Sequence, residues 1–102
     1  MNSFFQGDLI HINGFRNMFL IISSNAFIKA VGAFHVCPVL NDYPDGPLHI
    51  RITGQNGIAG TAICEQLKLI DPEARVCMKL DRIPYHSIMD ISDAVQGIFD
   101  YD

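Results

Sequence analysis

The sequence predicts a mainly-β fold: a small, strongly curved antiparallel barrel of about six strands, with a C-terminal helix packed on it. Three observations carry this reading. Short apolar runs recur along the chain, divided by Gly, Pro, Asn and Asp. Only the last segment switches to a helical period. The length, 102 residues, suits one domain spanning 1–102 with a single hydrophobic core.

Taken in order, Gly7 and Asp8 open a short strand over 9–12, ended by Asn13 and Gly14. An Asn-Gly pair between apolar runs is a strong hairpin signal. The next strand, 18–23, is apolar almost throughout, as a central strand should be. Ser23, Ser24 and Asn25 read as a turn and helix cap before a short helical piece at 26–29. A third strand covers 33–39, with Pro38 marking an edge or a bulge. Residues 41–47 (N-D-Y-P-D-G-P) form a loop. The fourth strand is 48–53, and a hairpin with Gly54 and Gly57 leads into a fifth, from 58 to about 67. Asp71 and Pro72 mark a turn, and 75–80 is the sixth strand. Pro84 and Ser87 signal the closing helix. Its apolar face is Ile88, Ile91, Val95 and Ile98 with Phe99, and its polar face carries Asp90, Asp93 and Gln96.

One residue resists this pattern. On a period of two, Thr61, Ile63, Glu65, Leu67 and Leu69 share a strand face. A charged Glu65 between Ile63 and Leu67 requires an opening to solvent, a partner or a task.

Composition narrows the function. An apolar fraction of 49% with 18% charged residues is globular rather than disordered. The longest strongly apolar run, 18–22, falls far short of the roughly 20 residues of a membrane span. Met1 to Gly7 carries no secretory n-region. Cys37, Cys64 and Cys77 are odd in number and lack a C-x-x-C spacing, so free thiols in a reducing, cytoplasmic compartment are expected. His35 and Cys37 share a strand face, but no second pair completes a metal site, and none is expected. A net charge of −4 argues against a protein that coats nucleic acid unspecifically. The cations are scattered, so a local basic cleft remains compatible with the sequence and a broad basic surface does not.

Several stretches resemble the MazF/PemK/Kid toxins of bacterial type II toxin–antitoxin modules. Gly7-Asp8-Leu9-Ile10 looks like the family's opening G-D-[IV]-[IV]. The run from Phe19 through Ser23-Ser24-Asn25 to Phe27 is similar to its "VLVISNxAF", and His35-Val36-Cys37-Pro38-Val39 to its "VVVPVT". Glu65-Gln66-Leu67-Lys68-Leu69-Ile70-Asp71 through Ala74-Arg75 resembles "DQ[VI]+[ST][LI]Dxx[AS]R". The resemblance covers nearly the whole chain. It implies an SH3-like barrel of the CcdB/PemK kind, usually a homodimer, that cleaves single-stranded RNA at short sequences without a metal or other cofactor. It also implies a cognate antitoxin that blocks the cleft, and operator DNA bound through the antitoxin complex. The fold also hosts the gyrase poison CcdB, so the runner-up is a non-catalytic member that binds antitoxin and operator, or inhibits a protein target.

The chain departs from the family at three places. Its first loop, Gly14-Phe15-Arg16-Asn17-Met18, is shorter by about ten residues, a hairpin-length turn without the family's Arg-Pro. Leu40 stands where the family has Thr, and Ile63 where PemK/Kid-type members have Arg.

Cleavage of RNA by its own 2′-hydroxyl needs a base, an acid and a cationic clamp on the phosphorane. The resemblance makes Arg16, the only cation of the first loop, the clamp, since a guanidinium grips phosphate bidentately. It makes Glu65 the proton-handling carboxylate at the cleft rim, or the partner of Arg16 or Arg51. His49 and Arg51 alternate onto one face of the fourth strand and, with Asn17 and Gln66, are candidate RNA-binding residues. His11 and His35 are further candidates, although isolated strand histidines are more often packed.

Overall fold

A computed structural model of the protein describes residues 3–100. The chain runs β1 (Asp8–Ile12), β2 (Met18–Ile21), α1 (Asn25–Val31), β3 (Phe34–Leu40), β4 (His49–Thr53), β5 (Ala59–Ile63), β6 (Lys68–Ile70), β7 (Cys77–Arg82) and α2 (Tyr85–Ile98). The strands form one antiparallel sheet in the order β4-β5-β3-β2-β1-β7, with β6 also paired to β3. No helix among the described residues is long and apolar enough to cross a membrane.

The expected hairpin at Asn13 and Gly14 forms, and Gly14 takes the positive φ (94°) that the turn requires. Ser24 caps α1, accepting from the Phe27 N–H at 3.1 Å. The largest departure is at the expected fifth strand over 58–67. It is two strands: β5 stops at Ile63, the chain turns through 64–67, and β6 starts at Lys68. The sheet therefore has seven strands rather than about six. The reason lies across the ladder. β5 pairs with β3 at Val39 and Leu40, and β6 pairs with it from Val36 back to Phe34. Pro38, which has no N–H to donate, sits at the gap between the two pairings. Other boundaries move by one or two residues: the last strand is shifted to Cys77–Arg82, and the third runs on to Leu40.

The sheet curls until its two ends meet. The turn after β4 is fastened to β7 by Gln55 N–H donating to the Arg82 carbonyl at 2.8 Å. The buried Asp81 carboxylate accepts the N–H groups of Asn56, Ile58 and Arg82 at 2.7–3.1 Å. Gly54 is required there, because a Cβ would overlap that carboxylate. The sheet is thus barrel-like, its two ends tied by this turn, and not a barrel closed by a β4–β7 ladder.

Two apolar clusters line the sheet. Leu9, Leu20, Cys37, Val39, Ile52 and Ala62 point to one side, where α2 covers them with Ile88 and Ile91. Gly7 makes that docking feasible. Its φ is +91° and a Cβ would lie 2.5 Å from Ile88 Cδ1. The expected apolar face of α2 is buried at Ile88 and Ile91 and half-buried at Val95, but Ile98 and Phe99 are exposed. Ile10, Ile12, Phe19, Ile21, Phe34 and Val36 form the second cluster on the other side. The neighbouring Asp8 is fully buried and held by Lys79 at 3.1 Å and Arg82 at 2.9 Å, which gives the Gly7-Asp8 pair a structural reason.

Candidate nucleic-acid interface

Cross-strand partners in a sheet point to the same face. On the face of the second cluster, Phe19 lies opposite Pro38, Leu40 opposite Thr61, Thr61 opposite Arg51, and Ile63 opposite His49. Lys68 joins the same face through its partner Val36. One continuous surface therefore runs from the β1–β2 turn to the outer strand β4.

At its outer end His49 is fixed from three sides. Its backbone exchanges two hydrogen bonds with Gly46 at 3.1 Å, the Tyr43 ring meets it edge-on at 4.9 Å, and its Nε2 lies 3.0 Å from Glu65 Oε2. The His49 hydrogen bond holds the Glu65 carboxyl below its ordinary range, helped by a backbone N–H. The expected pairing of Glu65 with Arg16 or Arg51 is corrected: its partner is His49. The question raised by Glu65 on a strand face is answered as well. Glu65 lies in the 64–67 turn beyond the end of β5 and is exposed, so its carboxylate is not buried between Ile63 and Leu67.

At the other end is the β1–β2 turn. Phe15 packs edge-on against Phe19 at 5.4 Å. Arg75 Cζ stands 5.0 Å and Lys68 Nζ 5.8 Å from the Phe15 ring centre. Arg16 and Asn17 follow Phe15, both exposed, and Arg16 makes no ion pair among the described residues. Arg51 is exposed and likewise unpaired among them. Gln66 is exposed beside Glu65, its N–H donating to the Ile63 carbonyl at 3.1 Å. Only Gln66 and Leu67 separate Glu65 from Lys68, so their Cα atoms are at most about 11 Å apart.

The structure thus joins His49 to Glu65, and gathers Lys68 and Arg75 around Phe15 beside Arg16. It does not place Arg16 against Glu65. Phe15, Lys68 and Arg75 were not singled out as site residues in the sequence reading. A pointer existed: Lys68 and Arg75 stand in the stretch that resembles the family, but nothing in one dimension brings Phe15, in the shortened first loop, between residues 68 and 75. His35 is a packed residue. Its N–H donates to Ser23 Oγ at 2.7 Å, its Nδ1 bonds the same hydroxyl at 3.0 Å, and Phe27 covers its ring at 5.2 Å. His11 lies on β1 between Met18 and Met78.

The sequence profile of the PemK-like, MazF-like toxins of type II toxin–antitoxin systems matches residues 7–99. The chain belongs to this family. MazF-like solved structures agree on the fold. In a MazE–MazF crystal structure from Deinococcus radiodurans, a matching chain has a TM-score of 0.82 at 19% identity, over 96% of this chain and 97% of that one. MazF alone from the same organism gives 0.81 at 18% identity, over 96% and 97%. An endoribonuclease from mycobacterial species in complex with its cognate antitoxin gives 0.80 at 12% identity, over 98% and 100%. No curated protein matches the chain by sequence. The MazF/PemK fold accounts for the barrel-like sheet and the closing helix of this chain.

Proposed function

We propose that this MazF/PemK family member is the toxin of a type II toxin–antitoxin pair, a metal-independent endoribonuclease that cuts single-stranded RNA in the cytoplasm. The observation that carries the reading is the hydrogen-bonded His49–Glu65 pair on the same surface as the exposed cation Arg16 and the Phe15–Lys68–Arg75 group. A histidine held by a carboxylate is suited to moving a proton to and from a reacting oxygen. In this mechanism the pair takes the 2′-hydroxyl proton and returns one to the leaving 5′-oxygen. Arg16 stabilises the phosphorane charge. Lys68 and Arg75 hold neighbouring phosphates, and Phe15 offers a ring edge or face for an unstacked base. Arg51, Asn17 and Gln66 line the path and select sequence. A homodimer, a cognate antitoxin and operator DNA reached through the antitoxin complex complete the reading; the antitoxin-bound relatives support the second of these.

A second reading, RNA or antitoxin binding without cleavage, is favoured by Leu40. Its half-buried apolar side chain stands on this face where the family resemblance places a Thr hydroxyl. Incubating purified protein with single-stranded RNA in a chelator and mapping the ends separates the two. Cleavage with a 2′,3′-cyclic phosphate product supports the enzyme. RNA retained uncut leaves only the binding reading. In a cleaving protein, Arg16→Ala and Glu65→Gln should each lower the rate by a factor on the order of 10²–10³. The double variant should be little worse than either alone, because groups acting in one transition state are not additive.

A further inference from the structure

The geometry points to a redox modification site inside the barrel: Cys37 and Cys64 form a dithiol that closes to a disulfide with a hydroperoxide as oxidant. β3 and β5 pair with Val39 opposite Ala62 and Leu40 opposite Thr61. Carrying that register on by two residues along each strand sets Cys64 opposite Cys37. The pair lies just beyond the end of the β3–β5 ladder, whose opposed Cα atoms are about 4.5–5.5 Å apart, and a disulfide spans roughly 4.4–6.8 Å. Both side chains lie in the same core cluster and are fully buried. The Cys64 thiol donates to the Ala62 carbonyl at 3.8 Å. Cys77 lies in the other cluster, its thiol directed to the Arg75 carbonyl at 3.6 Å, and does not compete.

The two thiols differ in character. The neighbouring Cys37 holds the Cys64 thiol below the ordinary thiol range. Cys64 in turn, with burial, pushes Cys37 well above it. Cys64 is also the end nearer the surface, although its own side chain is fully buried. It stands past the last β3–β5 pairing, at the head of the 64–67 turn, next to the exposed Glu65 and Gln66. Cys64 is therefore the attacking sulfur and Cys37 the resolving one.

The chemistry balances in two steps. The Cys64 thiolate attacks one peroxide oxygen; the O–O bond breaks, leaving a sulfenic acid on Cys64 and hydroxide, which takes up the proton the thiol released. The Cys37 sulfur then attacks the Cys64 sulfur; the S–O bond breaks, and the oxygen leaves as water with the Cys37 proton. Two thiols lose two electrons and hydrogen peroxide becomes two waters. The bond ties β3 to the turn that presents Glu65 and closes a long loop of the unfolded chain. It stands whether or not the chain cuts RNA.

Titration of the purified full chain with hydrogen peroxide, trapping of remaining thiols by alkylation and non-reducing peptide mass analysis test it. The expected product is one peptide pair joined through Cys37 and Cys64, two hydrogens lighter than its thiol form, with Cys77 alkylated. It should revert with dithiothreitol, and the oxidised form should melt higher than the reduced one. Cys77→Ser should give the same product, and Cys37→Ser should let Cys64 advance to sulfinic acid. The proposal is overturned if wild-type Cys64 reaches sulfinic acid while Cys37 is alkylated, if Cys77 enters the disulfide, or if neither Cys37 nor Cys64 reacts before the protein unfolds.

Discussion

At Asp81 a carboxylate only 4% exposed accepts three backbone N–H groups and fastens the Gly54–Gly57 turn to β7. Burial alone would raise its pKa; the N–H donors of Arg82, Asn56 and Ile58 outweigh that and hold it below the ordinary value. A group depressed in the folded state contributes stability that is present above its unfolded pKa and lost as pH falls through the folded one. The denaturant midpoint should thus fall as pH drops below about 4, and Asp81→Asn should make that fall shallower. Asp81→Ala leaves the three N–H groups without their acceptor and should cost about 2–4 kcal/mol, read from chemical denaturation. Glu65 allows a second measurement. His49→Ala should raise the Glu65 carboxyl pKa towards its ordinary range in a carbon-13 NMR titration, while Arg16→Ala should leave it where it is. A shift with Arg16→Ala would restore the pairing expected from sequence.

At the scale of elements, the contact that fixes α2 is Ile88 over Gly7. Gly7→Val needs a positive φ and space that Ile88 occupies, and should destabilise by about 1–3 kcal/mol or more. Gly32 also has a positive φ (79°), but nothing lies within 4 Å of the Cβ it would gain. Gly32→Ala should therefore cost only the backbone strain, on the order of 1 kcal/mol. Comparing the two denaturation midpoints separates crowding from strain. The 64–67 turn shows where an element was illegible. The alternation through Thr61, Ile63, Glu65 and Leu67 reads as one strand, because periodicity carries no record of which neighbour is present. The chain turns there because the partner strand β3 changes partners around Pro38.

Across the whole molecule, a net charge of −4 coexists with Arg16, Lys68 and Arg75 grouped at one end of a single surface. If these three cations with Arg51 meet phosphates, single-stranded RNA affinity should fall with salt with a log–log slope of about −2 to −3. Lys68→Ala or Arg75→Ala should each make the slope shallower by just under one unit, about 0.7. A slope unaffected by both would remove the Phe15 group from the interface.

The sequence by itself determined the class of fold, the hairpin at Asn13 and Gly14, the Ser24 cap, the closing helix and its buried Ile88 and Ile91, because turn chemistry, caps and periodicity act over a few residues. It also placed His49 and Arg51 on one face, since strand alternation is local. Tertiary structure decided the rest: that Glu65 meets His49, that Lys68 and Arg75 stand over Phe15, that Asp81 fastens the turn after β4 to β7, and that Cys37 and Cys64 enter one core cluster. Each of these joins segments whose approach is set by strand order and register, and those depend on how the whole sheet buries its two apolar faces.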